Sequence, residues 1–492
     1  MTRYSVAMTE DVNLDLRRHL LRRDRQEDVV IATWAPSTGA SRTTAVLRRV
    51  VLPQEGERFV HGNASFTSEY VIRAAREAHQ QGEGIVLLHS HPRGTNWQGL
   101  SRPDHDTEAD YRRAATAITS MPLVGMTLAG DGAWSARFWH DNDPQWAESV
   151  RVVAPALEMT FNPDLRPAPA TTAAQVRTVS AWGDQTQATM ARLRVLVVGT
   201  GSVGLDVAQR LAATGLTDIG IMDYDAVEEL NLDRMVGATR LDAALGRAKV
   251  DVVARLATTA ATAQRFTVHR HELSVTDPDG FAAALDYDVI VSCVDRPWPR
   301  AVLNTLAYAD LIPVIDGGIG LNSFQDGRLR SGIWRSHTLV PGRPCLICMG
   351  QVQMNELSLD RRGLLDDPKY IAAASMAAPA KQNVAALSAS VSAAVLAQLV
   401  SLIAHPGGRG VPGPLRYMLA THNLEHVPAE TQKYCQIEPQ VALADHRSDL
   451  TEHQTNWRNT VAARRRKKTP LRLRLLAAGE QLLLRQIHRL GR

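Results

Sequence analysis

Val195–Met235 reads VLVVGTGSVGLDVAQRLAATGLTDIGIMDYDAVEELNLDRM, and its first ten residues set the fold. Val195, Val197 and Val198 are β-branched and make a buried strand, which turns into a helix through Gly199, Gly201 and Gly204, a G-x-G-x-x-G pattern. Glycines at this turn let backbone N–H groups approach a phosphate at the helix N-terminus, where the dipole favours negative charge. A second strand, 218–223, ends in Asp223, about 20 residues on, where an acid grips a ribose hydroxyl. The stretch therefore predicts a nucleotide site in an α/β domain. On its own the glycine pattern most often marks a dinucleotide site.

The residues that follow change that expectation. Asn231, Asp233 and Arg234 come soon after Asp223 and Asp225, and Lys249 lies within GRAKV, so an amide and two cations join a phosphate cradle. A dehydrogenase has no need of them. An enzyme that adenylates a carboxylate does, because the α-phosphate gains charge as the acyl oxygen attacks and pyrophosphate departs. The strand 287–293 then ends in Val294 and Asp295, a carboxylate at a strand tip suited to Mg²⁺. Together these features resemble the ubiquitin-like-activating superfamily of ThiF/MoeB-type adenylyltransferases, from about Arg177 to about Asp445. The resemblance implies that Asp223 holds the ribose of ATP, that Asn231, Arg234 and Lys249 bind its phosphates, and that Asp295 holds Mg²⁺. It also implies a homodimer through this domain, with Arg177 as a candidate to reach the partner's site. Met235 departs from the family, which usually has Gln there.

Bulk properties narrow the class. The chain has 492 residues, enough for two or three domains, and 45% of them are hydrophobic, as in ordinary globular proteins. A net charge of +4 is too small to imply a polyanion partner for the whole chain. Four cysteines form no disulfide framework, and MTRYSVAMTEDVNLDL has no apolar stretch like a signal peptide. No run is expected to reach the roughly 18 to 20 apolar residues of a membrane span. A reducing cytoplasm is the expected location.

Residues 1–157 carry a second chemistry. Val12, Leu16 and Leu20, with Thr9 as cap, predict an amphipathic helix, and strands are expected over 28–33 and 44–52. A helix over 68–80 precedes the strand 85–88, which delivers His89-Ser90-His91-Pro92. Histidines at i and i+2 on extended backbone point to one side, so both imidazoles can reach one metal ion. Ser101 and Asp104 follow at the start of a helix, and a hairpin is expected over 123–128 and 135–139. Two neutral His and one carboxylate leave a tetrahedral Zn²⁺ an open position, the arrangement of catalytic zinc. The pattern resembles the JAMM (JAB-type) α+β metallopeptidases, which cut after the C-terminal glycine of ubiquitin-like proteins. That resemblance implies His89, His91 and Asp104 as ligands, Ser101 as oxyanion stabiliser and Glu27 as general base. Twelve residues separate His91 from Asp104, a longer gap than the family's, so a turn in 93–100 must absorb the difference, or Asp106 ligates instead.

Residues 158–175 contain Pro163, Pro167 and Pro169 among small residues and predict a semi-extended linker to the adenylyltransferase domain at 176–445. Within that domain, strands are expected over 312–315 and within 321–336. Cys345 and Cys348 form half of a structural zinc site that many relatives carry. Gln432 stands where another ligand belongs before Cys435; a site of Cys345, Cys348 and Cys435 with His422 or His426 and a pair of reduced core thiols are equally open readings. The segment 350–380, which corresponds to the loop where thioester-forming relatives carry a nucleophilic Cys, has none, and Cys293 is expected to pack. An apolar helix over 382–403 is expected beneath the sheet. Residues 446–492 form a basic tail with Arg464 to Lys468 and then Leu476, Leu483, Ile487 and Leu490, read as solvated, with docking to a carrier or conjugating enzyme, or binding to an anionic surface, as the sharper readings.

The functional expectation is a bifunctional enzyme of a prokaryotic ubiquitin-like system using ATP, Mg²⁺ and Zn²⁺. One domain activates a carrier's C-terminal glycine and the other cuts after it. Activation of a sulfur-carrier protein for biosynthesis is the alternative, and an inactive scaffold of a conjugation complex is the alternative of another class. Fused systems of this kind imply an antiviral setting by resemblance.

Overall fold

The computed structural model describes residues 2–61, 63–140, 142–366, 382–454 and 456–466, with scattered positions between 472 and 486. In the first domain the chain runs through β1 (Arg3–Thr9), α1 (Glu10–Leu20), β2 (Val29–Thr38), β3 (Arg42–Val51), the hairpin β4 (Arg58–His61) and β5 (Asn63–Phe66), then α2 (Ser68–His79) and β6 (Gly84–His91). It continues through α3 (Arg102–Thr119), β7 (Leu123–Ala129), β8 (Trp134–Trp139), β9 (Gln145–Trp146), β10 (Ser149–Val153) and β11 (Glu158–Phe161). Among the described residues these form a nine-stranded mixed sheet in the order β11-β10-β1-β3-β2-β6-β7-β8-β9, beside the separate β4-β5 pair.

The period of two along β2 sorts its side chains between two cores. Val30, Ala32 and Trp34 pack with Leu16 and Leu20 of α1, while Ile31 packs with Tyr70, Val71 and Ala74 of α2. Thr9 caps α1 as its sequence implies, accepting from the Val12 N–H at 3.4 Å. β1 escapes a local reading because its partners, β3 and β10, lie far along the chain.

The second domain comprises α4 (Val176–Trp182), α5 (Asp184–Arg192), β12 (Arg194–Val198), α6 (Ser202–Thr214), β13 (Asp218–Met222), α7 (Arg240–Leu245), α8 (Lys249–Ala260), β14 (Thr267–His271) and α9 (Pro278–Ala284). Then come β15 (Val289–Ser292), α10 (Pro297–Ala309), β16 (Val314–Ser323), β17 (Leu329–Leu339), α11 (Met354–Arg361), an apolar helix Ala385–Ala404, β18 (Leu415–Met418), β19 (Asn423–His426) and the helix Asn456–Arg466. The sheet order is β14-β13-β12-β15-β16-β17-β18-β19. The first five strands pair in parallel through helical crossovers, and β16 to β19 pair antiparallel. This is a Rossmann-like fold with an antiparallel extension.

Three expectations change. The segment read as a linker over 158–175 begins with β11, paired to β10, and Leu157 donates to the Leu402 carbonyl at 2.9 Å, because the apolar residues of LEMTF complete a sheet edge. The expectation of no run long enough to span a membrane overlooked Ala385–Ala404, which has 20 residues and a mean hydropathy of 1.9. Its Val391, Val395 and Leu399 pack in the core with Leu205 and Leu211 of α6. The tail is folded back in part: Trp457 and Val461 are buried, whereas Leu476 and Leu483 are exposed. Lys467, Lys468, Ile487, Leu490 and residues 367–381 of the cysteine-free loop lie outside the described residues.

The two sheets meet across a polar interface buried from solvent. Arg42, with no exposed surface, pairs with Asp288, which is equally buried, and donates to the Leu285 carbonyl at 2.8 Å. The backbone N–H groups of Ser41 and Arg42 both donate to Asp286, at 3.0 and 2.9 Å. Gly39 permits that approach, since a Cβ there would stand 2.4 Å from the Asp286 carboxylate. Ser37 donates to Asp310 at 2.8 Å, and Arg151 donates to the Leu311 carbonyl at 2.9 Å.

Breaking one member of a buried pair strands the other charge, which costs about 3–5 kcal/mol. Arg42→Ala is therefore expected to lower the unfolding free energy obtained from urea denaturation by that amount, and an unchanged midpoint and slope would mean the pair contributes nothing. Burial raises the Asp310 carboxyl to about 6, against Arg447 and Ser37. The folded state then holds a proton that the unfolded chain has released, so this group's contribution falls as pH rises from about 4 to 6. The melting temperature of Asp310→Asn relative to wild type is expected to rise across that window; a flat difference would contradict the shift.

Candidate functional site

The first candidate site lies at the carboxyl ends of β12 and β13. Gly199 has φ +86°, and a Cβ there would meet the Cys293 carbonyl at 2.7 Å; a Cβ on Gly204 would stand 1.9 Å from the Gly199 carbonyl. Only glycine allows this strand-to-helix turn to close so tightly. Gly201 is the N-cap of α6, and the space where its Cβ would be is open. Asp223 is anchored to the same loop, accepting from the Thr200 N–H at 2.8 Å and its hydroxyl at 3.1 Å. Burial pushes the Asp223 carboxyl up, with Lys249 opposing.

Lys249 opens α8 and its ammonium pairs with Asp225 at 2.7 Å. Burial pushes it down, yet Asp223, Asp225 and Asp295 outweigh burial and its pKa is raised. The fold thus gathers the glycine loop, Asp223, Lys249 and exposed Asp295 around one edge. Asn231 and Arg234 sit on the turn after Asp225, where Asn231 accepts from the Glu228 N–H at 3.0 Å and Arg234 donates to the Leu230 carbonyl at 2.6 Å and to Asp233 at 2.9 Å. Met235 is a core residue, 1% exposed. Arg177 is exposed on α4. Cys293 is partly buried against the core, and desolvation, with Asp316 adding, drives its thiol far up. The sequence reading missed Thr200 and the buried Arg300–Asp316 pair, because a Thr or an Arg carries no spacing signal of its own.

The second candidate site lies at the end of β6. His89 Nε2 and His91 Nε2 are 3.2 Å apart, and each is 3.6 Å from Asp104 Oδ2. Tetrahedral zinc with bonds of about 2.0–2.1 Å separates its ligand atoms by roughly 3.3–3.4 Å, so these three atoms fit one ion. The longer loop is absorbed and Asp104 reaches the cluster. Asp106 does not; it pairs with His105 at 3.5 Å and is largely exposed. Burial, reinforced by Arg137, pushes His89 down to about 3, which keeps it neutral as a ligand must be. The hydrogen bond to Asp104 raises His91, whose Nδ1 is held by Gln98 at 3.3 Å.

Ser101 caps α3 and donates its hydroxyl to Asp104 at 2.6 Å. Glu27 lies two residues before β2, and its neighbour is tied to the histidine strand: the Asp28 N–H donates to Ser90 Oγ and the Ser90 N–H returns to the Asp28 carbonyl, both at 3.0 Å. Burial pushes Glu27 up, with His91 opposing and Asp104 adding. Sequence reasoning found these residues but missed the support beneath them. Thr127 Oγ1 lies 3.3 Å from His89 Nε2 and accepts from Arg137 at 2.8 Å, and Arg137 is paired with buried Glu108.

The thiols of Cys345, Cys348 and Cys435 converge within 4.8 Å, with Cys345 and Cys435 at 3.7 Å. Tetrahedral Zn–S bonds of about 2.3 Å put sulfurs roughly 3.7–3.8 Å apart, so the triad also fits zinc. His422 instead bonds Tyr417 at 2.6 Å, and Gln432 lies against Cys348, its N–H 3.4 Å from the sulfur.

The ThiF family model matches residues 172–436, and the chain belongs to the ThiF family. The chain is 30% identical over 168 residues to the adenylyltransferase and sulfurtransferase MOCS3 of Anopheles gambiae, covering 34% of this chain and 35% of that protein. It is 34% identical over 124 residues to MOCS3 of Xenopus laevis, covering 25% and 26%. The chain thus spans about a third, or less, of the length of the curated relatives it matches. Among solved structures, E. coli MccB with succinimide aligns at 19% identity and a TM-score of 0.42, over 54% of this chain and 74% of that one.

If both clusters hold zinc, purified protein will carry about two equivalents by elemental analysis. His89→Ala with His91→Ala is expected to remove one and Cys345→Ser the other. Retention of both by the double histidine variant would exclude the first site.

Proposed function

We propose that this chain adenylates the C-terminal glycine of a ubiquitin-like or sulfur-carrier protein, and that its N-terminal domain is a zinc peptidase that cuts after the same glycine. The observation that carries the first half is the glycine turn closed on Asp223, with Lys249 and Asp295 gathered beside it, in a ThiF-family chain. A carrier carboxylate oxygen attacks the α-phosphorus of ATP, the bond to the bridging oxygen breaks, and acyl adenylate and pyrophosphate result. Lys249 and Arg234, once turned from Asp225 and Asp233, offset the charge that grows on the phosphates. Asp223 holds the ribose and Asp295 binds Mg²⁺.

The second half rests on the three metal-facing atoms of His89, His91 and Asp104. Zinc held there supplies Lewis acidity toward water and the scissile carbonyl. Glu27 takes the water proton on its carboxylate, whose raised pKa suits a base working nearer neutrality, and passes it to the leaving amine. Ser101, once its hydroxyl turns from Asp104, donates to the oxyanion. A homodimer, a conjugating partner, the cytoplasm and a role in antiviral defence belong to the same reading. A sulfur carrier is the favoured substrate within it, because the matched relatives are named adenylyltransferase and sulfurtransferase.

ATP–pyrophosphate exchange, measured alone and with a glycine-terminated carrier encoded nearby, tests the activating half. Exchange is expected only with carrier and is expected to fall about 100-fold or more in Arg234→Ala. Glu27→Ala is expected to lose carrier cleavage by about 100-fold or more while leaving exchange intact. Loss of both activities in either variant would undo the assignment of two separate sites.

A further inference from the structure

The basic tail is not wholly a solvated appendage. From Leu450 to Arg464 it runs over the helix starts and strand ends around the nucleotide cradle, making a specific polar contact at each step. The Leu450 carbonyl accepts from the Trp298 indole at 2.8 Å, at the start of α10, and the Glu452 N–H donates to the Thr276 carbonyl at 2.9 Å. Arg458 forks onto Asp277 and Asp279 at the start of α9, at 2.7 and 2.8 Å. Trp457, 6% exposed, lies against the ring of Tyr224 with centroids 6.0 Å apart. Arg464 donates to the Tyr224 carbonyl at 3.0 Å and pairs with Glu272. Further along, Glu480 takes hydrogen bonds from Arg247 at 2.6 Å and Arg255 at 3.3 Å, which flank Lys249 in sequence.

Tyr224 follows Asp223 directly, and Glu272 follows the last residue of β14. The strand ends are already tied, since the Asp223 N–H donates to the His271 carbonyl at 3.1 Å. Phosphates at the start of α6 and a ribose on Asp223 define a line from β12 to β13, and continuing it brings the base toward the end of β14. Arg464 bridges the two loop starts at that place. Its guanidinium meets a carbonyl and a carboxylate together, which fixes their spacing as a single hydrogen bond would not.

Resting on the nucleotide site proposed above, we propose that the tail helix Asn456–Arg466 is a clasp forming the outer wall of the base end of that site. Arg464 acts as a positioning residue for Asp223 and for the purine nucleoside portion of the substrate, while the phosphate end is independent of it. The tail is therefore part of the nucleotide site.

The test measures binding of ATP and of inorganic triphosphate to the full chain, in wild type, Arg464→Gln and Arg464→Lys. The clasp predicts that Arg464→Gln weakens ATP about tenfold, leaves triphosphate within error, and is partly rescued by Arg464→Lys, which keeps the charge opposite Glu272. Trp457→Phe, which retains an aromatic ring against Tyr224, is expected to remain folded and to weaken ATP less. Unchanged ATP binding in Arg464→Gln overturns the clasp while leaving the nucleotide site standing. Equal weakening of ATP and triphosphate overturns the placement at the base end, because it would report general loosening. A wild-type chain that binds triphosphate but gains nothing from the nucleoside removes the nucleotide reading itself, and the clasp with it.

Discussion

Asp288 has no exposed surface and three arginines face it. It pairs with Arg42 from the first domain, accepts the Arg194 N–H at the start of β12 at 3.0 Å, and lies 3.8 Å from Arg166 in the segment between the domains. Burial alone would push the carboxyl up, but the arginines hold it well below the usual carboxylate range. One charge thus ties the opening strand of the Rossmann-like sheet to the β2–β3 corner of the other sheet. A buried ion of this kind gives little net stability over an apolar substitute, yet it tolerates few geometries, because every alternative leaves a charge unpaired. The relative placement of the two candidate sites follows from it.

This constraint alters the meaning of the fusion. Two modules on a loose linker share a substrate through effective concentration, which depends on linker length. Here the connecting segment starts as β11, Asn162 is buried, and Arg166 is packed among the interface charges. The chain between the domains is therefore a structural element, and the domains present their sites in a fixed relation. A carrier whose flexible tail ends in glycine would, in this arrangement, have to carry that tail from one site to the other.

What the sequence made legible was local. Gly199, Gly201, Gly204 and Asp223 are dictated by one strand-turn-helix unit, and His89 and His91 by the alternation of one strand, so spacing alone located them. Asp104 required a loop of unfamiliar length to close, and the capping geometry of Ser101 at the start of α3 explains why it closes on Asp104 and not Asp106. The interface was illegible because Arg42, Arg151 and Asp288 look like any surface charges until strands distant in sequence come together. The same holds for β1, whose pairing with β10 crosses most of the domain, and for Trp457, a lone aromatic in a basic tail. The apolar helix Ala385–Ala404 was read as packed beneath the sheet, where it lies, yet that its hydropathy reaches the range of a membrane span was overlooked, because small residues dilute the apolar run.

The cysteines bear on how an acyl adenylate would be used. Cys293 stands nearest the cradle in the fold, but its burial next to Asp316 disfavours the thiolate, and a thiol is a poor nucleophile. Cys345 is likewise raised, to about 12, whereas the N–H groups of Glu438 and Ile437 hold Cys435 down against its burial. The three sulfurs converge on one another in the geometry of a metal triad, and a thiolate held by zinc is withdrawn from attack on a carbonyl. Among the described residues, then, the thiols are arranged for packing and for metal. That arrangement favours direct transfer of the activated glycine to a nucleophile brought by another protein over a thioester on this chain.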